Sequence, residues 1–165
     1  WQFMASVAEE YGLQITSYVD QRRDPLLATK AACDYLNEMK GEFGSWTTSA
    51  AAYNRGKTGM RNALREQKVD SYYDLFLNHE TYRYIFRILS YKVIMETTQL
   101  YGFSFEKEDL YPVLNYTKVS VDTTINDLPE FAKNYNTNYK MLKTLNPWLD
   151  INAGTCYTFL VVKVT

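Results

Sequence analysis

Apolar residues recur at helical spacing as far as about Phe105, and from Val113 the pattern turns into an alternation of β-branched and aromatic side chains. Helices repeat with a period of about 3.6 residues and strands with a period of about 2, so the two stretches bury their faces in different ways. The chain therefore reads as an α part and a smaller mixed part, meeting near Tyr111 with no low-complexity linker between them. A length of 165 residues has room for one ordinary domain, or for a truncated domain and a module of about 50 residues. The change of pattern favours the second arrangement.

In the α part, Phe3, Met4, Val7, Ala8 and Tyr11 predict a helix over residues 2–11, closed by Gly12 at a C-terminal cap position. The chain thus opens inside a helix or within a turn of one. Asp24 followed by Pro25 marks a second start, because the carboxylate accepts from orphan amides and the proline φ suits a first turn. That helix runs to about Lys40, with Ala28, Ala31, Ala32, Tyr35, Leu36 and Met39 as its buried stripe. Further helices are predicted over residues 46–54, 60–67 and 81–98, the first keeping its side chains small from Ser49 to Ala52 before the bulky Tyr53. The mixed part reads as a strand over 113–121, helices over 125–135 and 138–145, and a closing strand over 156–164. Asn146 and Pro147 stop the second of those helices. The expected fold class is mainly α over residues 1–110, with a small α+β strand, helix, helix, strand module over 111–165.

Eighteen basic residues against 19 acidic ones leave a net charge of -1, so no chain-wide positive field exists to gather phosphates, and no nucleic-acid partner is expected. The longest apolar run, around residues 158–162, is far short of the roughly 20 residues that span a bilayer. Cys33 and Cys156 match no metal or redox spacing, and the lone His79 has no partner at a recognisable interval. No cofactor and no metal are expected. The unusual feature is 15 Tyr, whose apolar face and hydroxyl suit both sugar rings and ordinary core or interface packing.

Four stretches resemble the lytic transglycosylases of the membrane-bound D type, whose domain is a lysozyme-like α fold. They are WQFM at residues 1–4 with YGL at 11–13; DQRRDPLLATKAACDYL at 20–36; SAAAYNRG at 49–56; and HETYRYIFRIL at 79–89 with YGF at 101–103. Each is weak alone, and their order and spacing together carry the resemblance, over nearly two thirds of the chain. The tail is similar to a LysM-type module, a small peptidoglycan-binding fold. TINDLPEFAKNYNTNYKMLKTLNPWL at residues 124–149 carries this likeness, and Asp122 and Thr123 stand where a glycine and an aspartate are usual.

The resemblance implies a peptidoglycan partner and a cell-envelope location. It also implies a single Glu that protonates the oxygen between MurNAc and GlcNAc and then takes the proton of the C6 hydroxyl, which closes on C1 to give a 1,6-anhydro product. In the family that Glu belongs to an ES motif upstream of the WQF stretch, so the acid is expected before Trp1 and no residue of this chain is expected to replace it. Residue by residue, the resemblance makes Gln2 a substrate ligand or an aligner of the acid's loop, against a solvated first-turn Gln. It sets the Tyr53 hydroxyl against the acid and Asn54 against an N-acetyl group or hydroxyl, against an aromatic core residue followed by a helix-terminal Asn. Tyr84 would line the cleft opposite, and Glu80 would anchor its helix start beside the positive end of the dipole.

Two other readings stay open. One is a non-catalytic peptidoglycan- or chitooligosaccharide-binding protein, and the other is a muramidase that uses water. Apolar faces left over residues 2–11 and 46–53 predict self-association.

Overall fold

The computed structural model describes residues 1–150 and 160–164. Its residues group into two compact units, Trp1–Ala32 with Pro112–Thr165 and Cys33–Tyr111, the division falling inside one helix.

In the first unit, α1 (Ala5–Glu10) is shorter than predicted, because Gln2 takes the left-handed conformation at φ 58 and stands before the helix rather than in its first turn. Phe3, Ala8 and Leu13 are buried. The chain then bends through an isolated bridge between Ile15 and Asp20 into a short 3-10 turn over Gln21–Arg23, whose Arg22 amide is capped by the Asp20 carboxylate. The helix α2 (Pro25–Phe43) starts as its sequence requires: Asp24 Oδ1 accepts from the amides of Leu26 and Leu27 at 2.9 and 3.1 Å. Ala28, Ala31, Ala32, Tyr35 and Met39 are buried along it, and Leu36 is half-buried.

The mixed part of this unit consists of β1 (Thr117–Val121), α6 (Leu128–Asn134), α7 (Tyr139–Leu145) and β2 (Leu160–Val164). β1 and β2 pair antiparallel, with Val119 opposite Val162 and Thr117 opposite Val164. The first strand is shorter than the predicted 113–121, since Val113 and Leu114 stay exposed ahead of the paired stretch. Residues 125–127 precede α6, because Asp127 is its N-cap and accepts from the Glu130 amide at 2.9 Å. Of the predicted closing strand, residues 156–159 lie outside the described residues.

Val121, Ile125, Leu128, Ala132, Leu142, Trp148, Leu149 and Val164 form the core here, and Val19 joins them. Val19 bridges Leu149, the Asp20 amide donates to the Trp148 carbonyl at 2.8 Å, and the Asp150 amide donates to the Tyr18 carbonyl at 2.9 Å. A module of this size has few apolar residues to bury, so one more valine is a sizeable addition. The sequence periodicity assigns Val19 to no element and does not reveal this.

In the second unit, α3 (Trp46–Arg55) is capped by Ser45 and packs against α4 (Lys57–Gln67) and α5 (His79–Glu96). Ser49, Ala51 and Ala52 are fully buried, and the Tyr35 hydroxyl donates to the Ala52 carbonyl at 3.0 Å. Side chains this small let a neighbouring backbone come close. Gly56 serves α3 and α4 at once, as C-cap of one and N-cap of the other, at φ 87 and ψ 141. This shared turn is why α4 begins at Lys57 rather than near Met60. α5 begins at His79, two residues before the predicted start, because the Asn78 side chain caps it.

Candidate functional site

Four of the five residues singled out by sequence meet in the 33–111 unit. Tyr53 and Asn54 end α3, and Glu80 and Tyr84 stand one turn apart at the start of α5. Gln2 is exposed and belongs to the other unit.

Tyr53 is half-buried and meets Tyr35 edge to face, with ring centroids 5.2 Å apart. Burial first, and then the neighbouring Tyr84 and Tyr35, push the Tyr53 hydroxyl up to about 12. Burial and the Glu80 carboxylate raise Tyr84 above the ordinary phenol range. These mutual influences mean that the two phenols and the carboxylate share one locale. At neutral pH both tyrosines are protonated and serve as hydrogen-bond donors and acceptors. Neither is a general base there, because a base works when its pKa lies near the operating pH.

Asn54 is half-buried, and its Oδ1 accepts a hydrogen bond of 2.9 Å from the Thr81 hydroxyl. The Thr81 amide in turn donates to Asn78 Oδ1 at 2.9 Å. The Tyr72 hydroxyl lies 3.2 Å from the Thr81 carbonyl and 2.5 Å from that of Tyr82. Thr81 and Tyr72 are both buried, so the first turn of α5 is tied to the end of α3 by the Thr81–Asn54 bond and to the short 3-10 turn Tyr72–Asp74 by the Tyr72 hydroxyl. Sequence reasoning missed Thr81. The signal was available in Asn78-His79-Glu80-Thr81, where a capping residue three positions ahead fixes the backbone of the threonine.

His79, which has no partner motif in the sequence, is exposed. It lines an open hollow of about 690 Å³ with Arg55, Leu75, Phe76, Leu77 and Tyr82. Tyr82 stands about 200° round the helix from Glu80, so this hollow lies on the face of α5 away from Glu80 and Tyr84. Its rim is stiff, because the Gln67 amide holds the Phe76 backbone from both sides, at 3.0 and 2.7 Å.

Among the described residues, no helix is long and apolar enough to cross a membrane. Cys33 is exposed and unbridged, and Cys156 lies outside the described residues.

Residues 1–76 match the transglycosylase SLT domain family, and residues 117–156 match the soluble lytic transglycosylase C-terminal LysM-like domain family. The first match includes Gln2, Tyr53 and Asn54 and stops before Glu80 and Tyr84. The chain is also similar to the membrane-bound lytic murein transglycosylase D of Escherichia coli (strain K12) and to that of Escherichia coli O6:H1 (strain CFT073). Each is 31% identical over 107 residues, which is 62% of this chain and 24% of the relative. The chain thus spans about a quarter of the length of the curated relatives it matches. The resemblance read from the sequence, an SLT-type transglycosylase segment of the D type followed by a LysM-like module, is borne out, as is the mainly α fold.

Proposed function

We infer, from a transglycosylase SLT segment at residues 1–76 and a LysM-like segment at residues 117–156, that this chain is the glycan-handling part of a peptidoglycan lytic transglycosylase. The reaction is cleavage of the MurNAc-GlcNAc bond with formation of 1,6-anhydroMurNAc. Its acid is expected in a segment preceding Trp1, and Gln2, Tyr53, Asn54, Glu80 and Tyr84 bind substrate. The observation that carries this reading is the meeting of Tyr53, Asn54, Glu80 and Tyr84 at the α3–α5 contact. Phenols beside an amide offer stacking faces and neutral hydrogen-bonding groups, which is what an uncharged polyhydroxylated ring with acetamido groups requires.

In the proposed division, residues 1–110 form the transglycosylase segment and 111–165 the LysM-like module, which adds glycan affinity. This division follows the family segments rather than compactness, which groups the first 32 residues with the tail. A cell-envelope location accompanies the same reading. Exposed Trp1, Met4 and Trp46 support self-association, to be measured by light scattering over a concentration series. A monomer at every concentration removes that part of the proposal.

A second reading is a glycan-binding protein without turnover, since Tyr53, Asn54, Glu80 and Tyr84 are read as substrate ligands and none of them as the acid. Purified glycan strands incubated with the chain and with a version extended upstream, then analysed by mass spectrometry, separate the readings. Anhydro ends from the extended protein support the transglycosylase, and reducing ends indicate a muramidase. Binding by both versions with no new ends supports the second reading. Tyr53→Phe and Tyr84→Phe each remove about one hydrogen bond and are expected to weaken chitooligosaccharide binding by roughly 2- to 10-fold. Unchanged affinity in both overturns the site assignment.

A further inference from the structure

We propose that Thr81 sets the orientation of the Asn54 amide and thereby makes the site selective for N-acetylated over deacetylated amino sugars. The inference rests on the glycan reading of this site and deepens it. A primary amide has one acceptor oxygen and one nitrogen with two donors, and which end meets the ligand decides what the ligand must offer. In Asn54 the oxygen is committed inside the protein, to the Thr81 hydroxyl at 2.9 Å. Among the described residues no hydrogen bond uses Asn54 Nδ2, so the donor end is what this half-buried side chain has left to present.

Thr81 decides the matter because its own proton has to go somewhere. The residue is 1% exposed, and the acceptor it has is Asn54 Oδ1. Turning the amide over brings Nδ2 against the hydroxyl and leaves a buried O–H without that acceptor, a state that folded proteins avoid. The threonine cannot swing away to compensate. Its side chain is stiff at χ1, its amide is held by Asn78 Oδ1, and its carbonyl faces the Tyr72 hydroxyl.

A fixed donor pairs with a carbonyl oxygen. The acetamido group of an N-acetylated sugar supplies one. The ammonium of a deacetylated sugar supplies only donors and meets the Asn54 N–H groups unfavourably. Asn54 is thus the residue that touches the sugar, and Thr81 is a positioning residue acting through it.

The test compares the affinities of the chain for an N-acetylated chitooligosaccharide and for its deacetylated counterpart at mildly acidic pH, by calorimetry. Side-chain amide signals of Asn54 are followed by NMR in the same samples. Thr81→Val keeps the shape and removes the hydroxyl, and the acetylated-to-deacetylated affinity ratio is expected to fall by about tenfold, or about 1.4 kcal/mol. Thr81→Ser, which restores the hydroxyl, is expected to recover the ratio, as loss of packing alone would not. Where Thr81→Val does not fold, Asn54→Asp serves instead: it replaces the donor by an acceptor of the same shape and is expected to invert the preference. An unchanged ratio in Thr81→Val, or an uninverted one in Asn54→Asp, overturns the inference while leaving the glycan reading in place. Absence of binding to either sugar by the unaltered chain overturns both.

Discussion

Replacing Asp20 by Asn removes the carboxylate that holds the Arg22 guanidinium in place against the Phe3 carbonyl, and leaves the backbone bond of residue 20 to Trp148 intact. Arg22 donates to that carboxylate twice through its guanidinium, from Nε and Nη2 at 2.8 Å each, and once through its amide at 3.1 Å. The same guanidinium donates Nη1 to the Phe3 carbonyl at 3.1 Å, and the Asp20 amide donates to the Trp148 carbonyl at 2.8 Å. The two side chains are 13% and 31% exposed, so solvent screens the pair only in part. A two-pronged charged contact of this kind contributes about 1.5–3 kcal/mol, and asparagine keeps one acceptor at most. Taking about 2 kcal/mol and a urea slope of about 2 kcal/mol per molar, the unfolding midpoint is expected to fall by about 1 M.

Trp148 is buried in the same unit as Asp20 while Trp1 and Trp46 are exposed, so tryptophan fluorescence reports mainly on the region in question. The effect also carries a pH signature. Hydrogen bonding from Arg22, foremost, holds the Asp20 carboxyl below its ordinary 3.8. A depressed folded-state pKa contributes stability that is fully present above the unfolded value and is lost as pH falls through the folded one. The gap between the wild type and Asp20→Asn is therefore expected to be complete at neutral pH and to close below about 3.8. Equal midpoints at neutral pH, or a gap that persists undiminished in strong acid, would refute the argument.

Gly56→Ala is expected to cost about 1–3 kcal/mol from backbone strain alone, since φ is +87 and an added Cβ meets nothing within 4 Å. Gly41→Ala, inside α2 with the same open surroundings, is expected to stabilise by about 0.5–1 kcal/mol, and thermal melts of the pair compare backbone against packing. Tyr53 is expected to ionise near 12 in an NMR titration, and Tyr84→Phe to lower that value only slightly, because burial is the larger cause and Tyr84 the lesser. Leu142→Ala empties a fully buried position and is expected to cost about 2–5 kcal/mol, with hydrogen-exchange protection lost in β1, α6 and α7.

Local chemistry accounts for most of what was legible in the sequence. Asp24 before Pro25, and the small side chains from Ser49 to Ala52, each specify their own helix feature through backbone amides and steric bulk a few residues away. The same is true of Asn146 and Pro147 at the end of α7 and of the alternation that becomes β1. The two family segments were legible for a related reason: short motifs at fixed spacing survive as strings. Tyr53, Asn54, Glu80 and Tyr84 could be named from those strings alone.

Partnerships between residues far apart in the chain were not legible, because hydrophobic period and capping signals describe one element at a time. Val19 sits in a loop without periodicity, and only a bridge to Leu149 carries it into a core built by residues more than a hundred positions later. Gln2 lies within a helical pattern, yet its left-handed backbone places it before α1. Thr81 reads as an ordinary first-turn threonine until α3 and α5 pack and leave its hydroxyl one interior acceptor in Asn54, 27 positions earlier. The sequence by itself determined most of the elements, their order and the likeness to the transglycosylase and LysM-like segments. Only the tertiary structure decided which buried donors meet which acceptors, because that depends on how separate helices and strands close on one another.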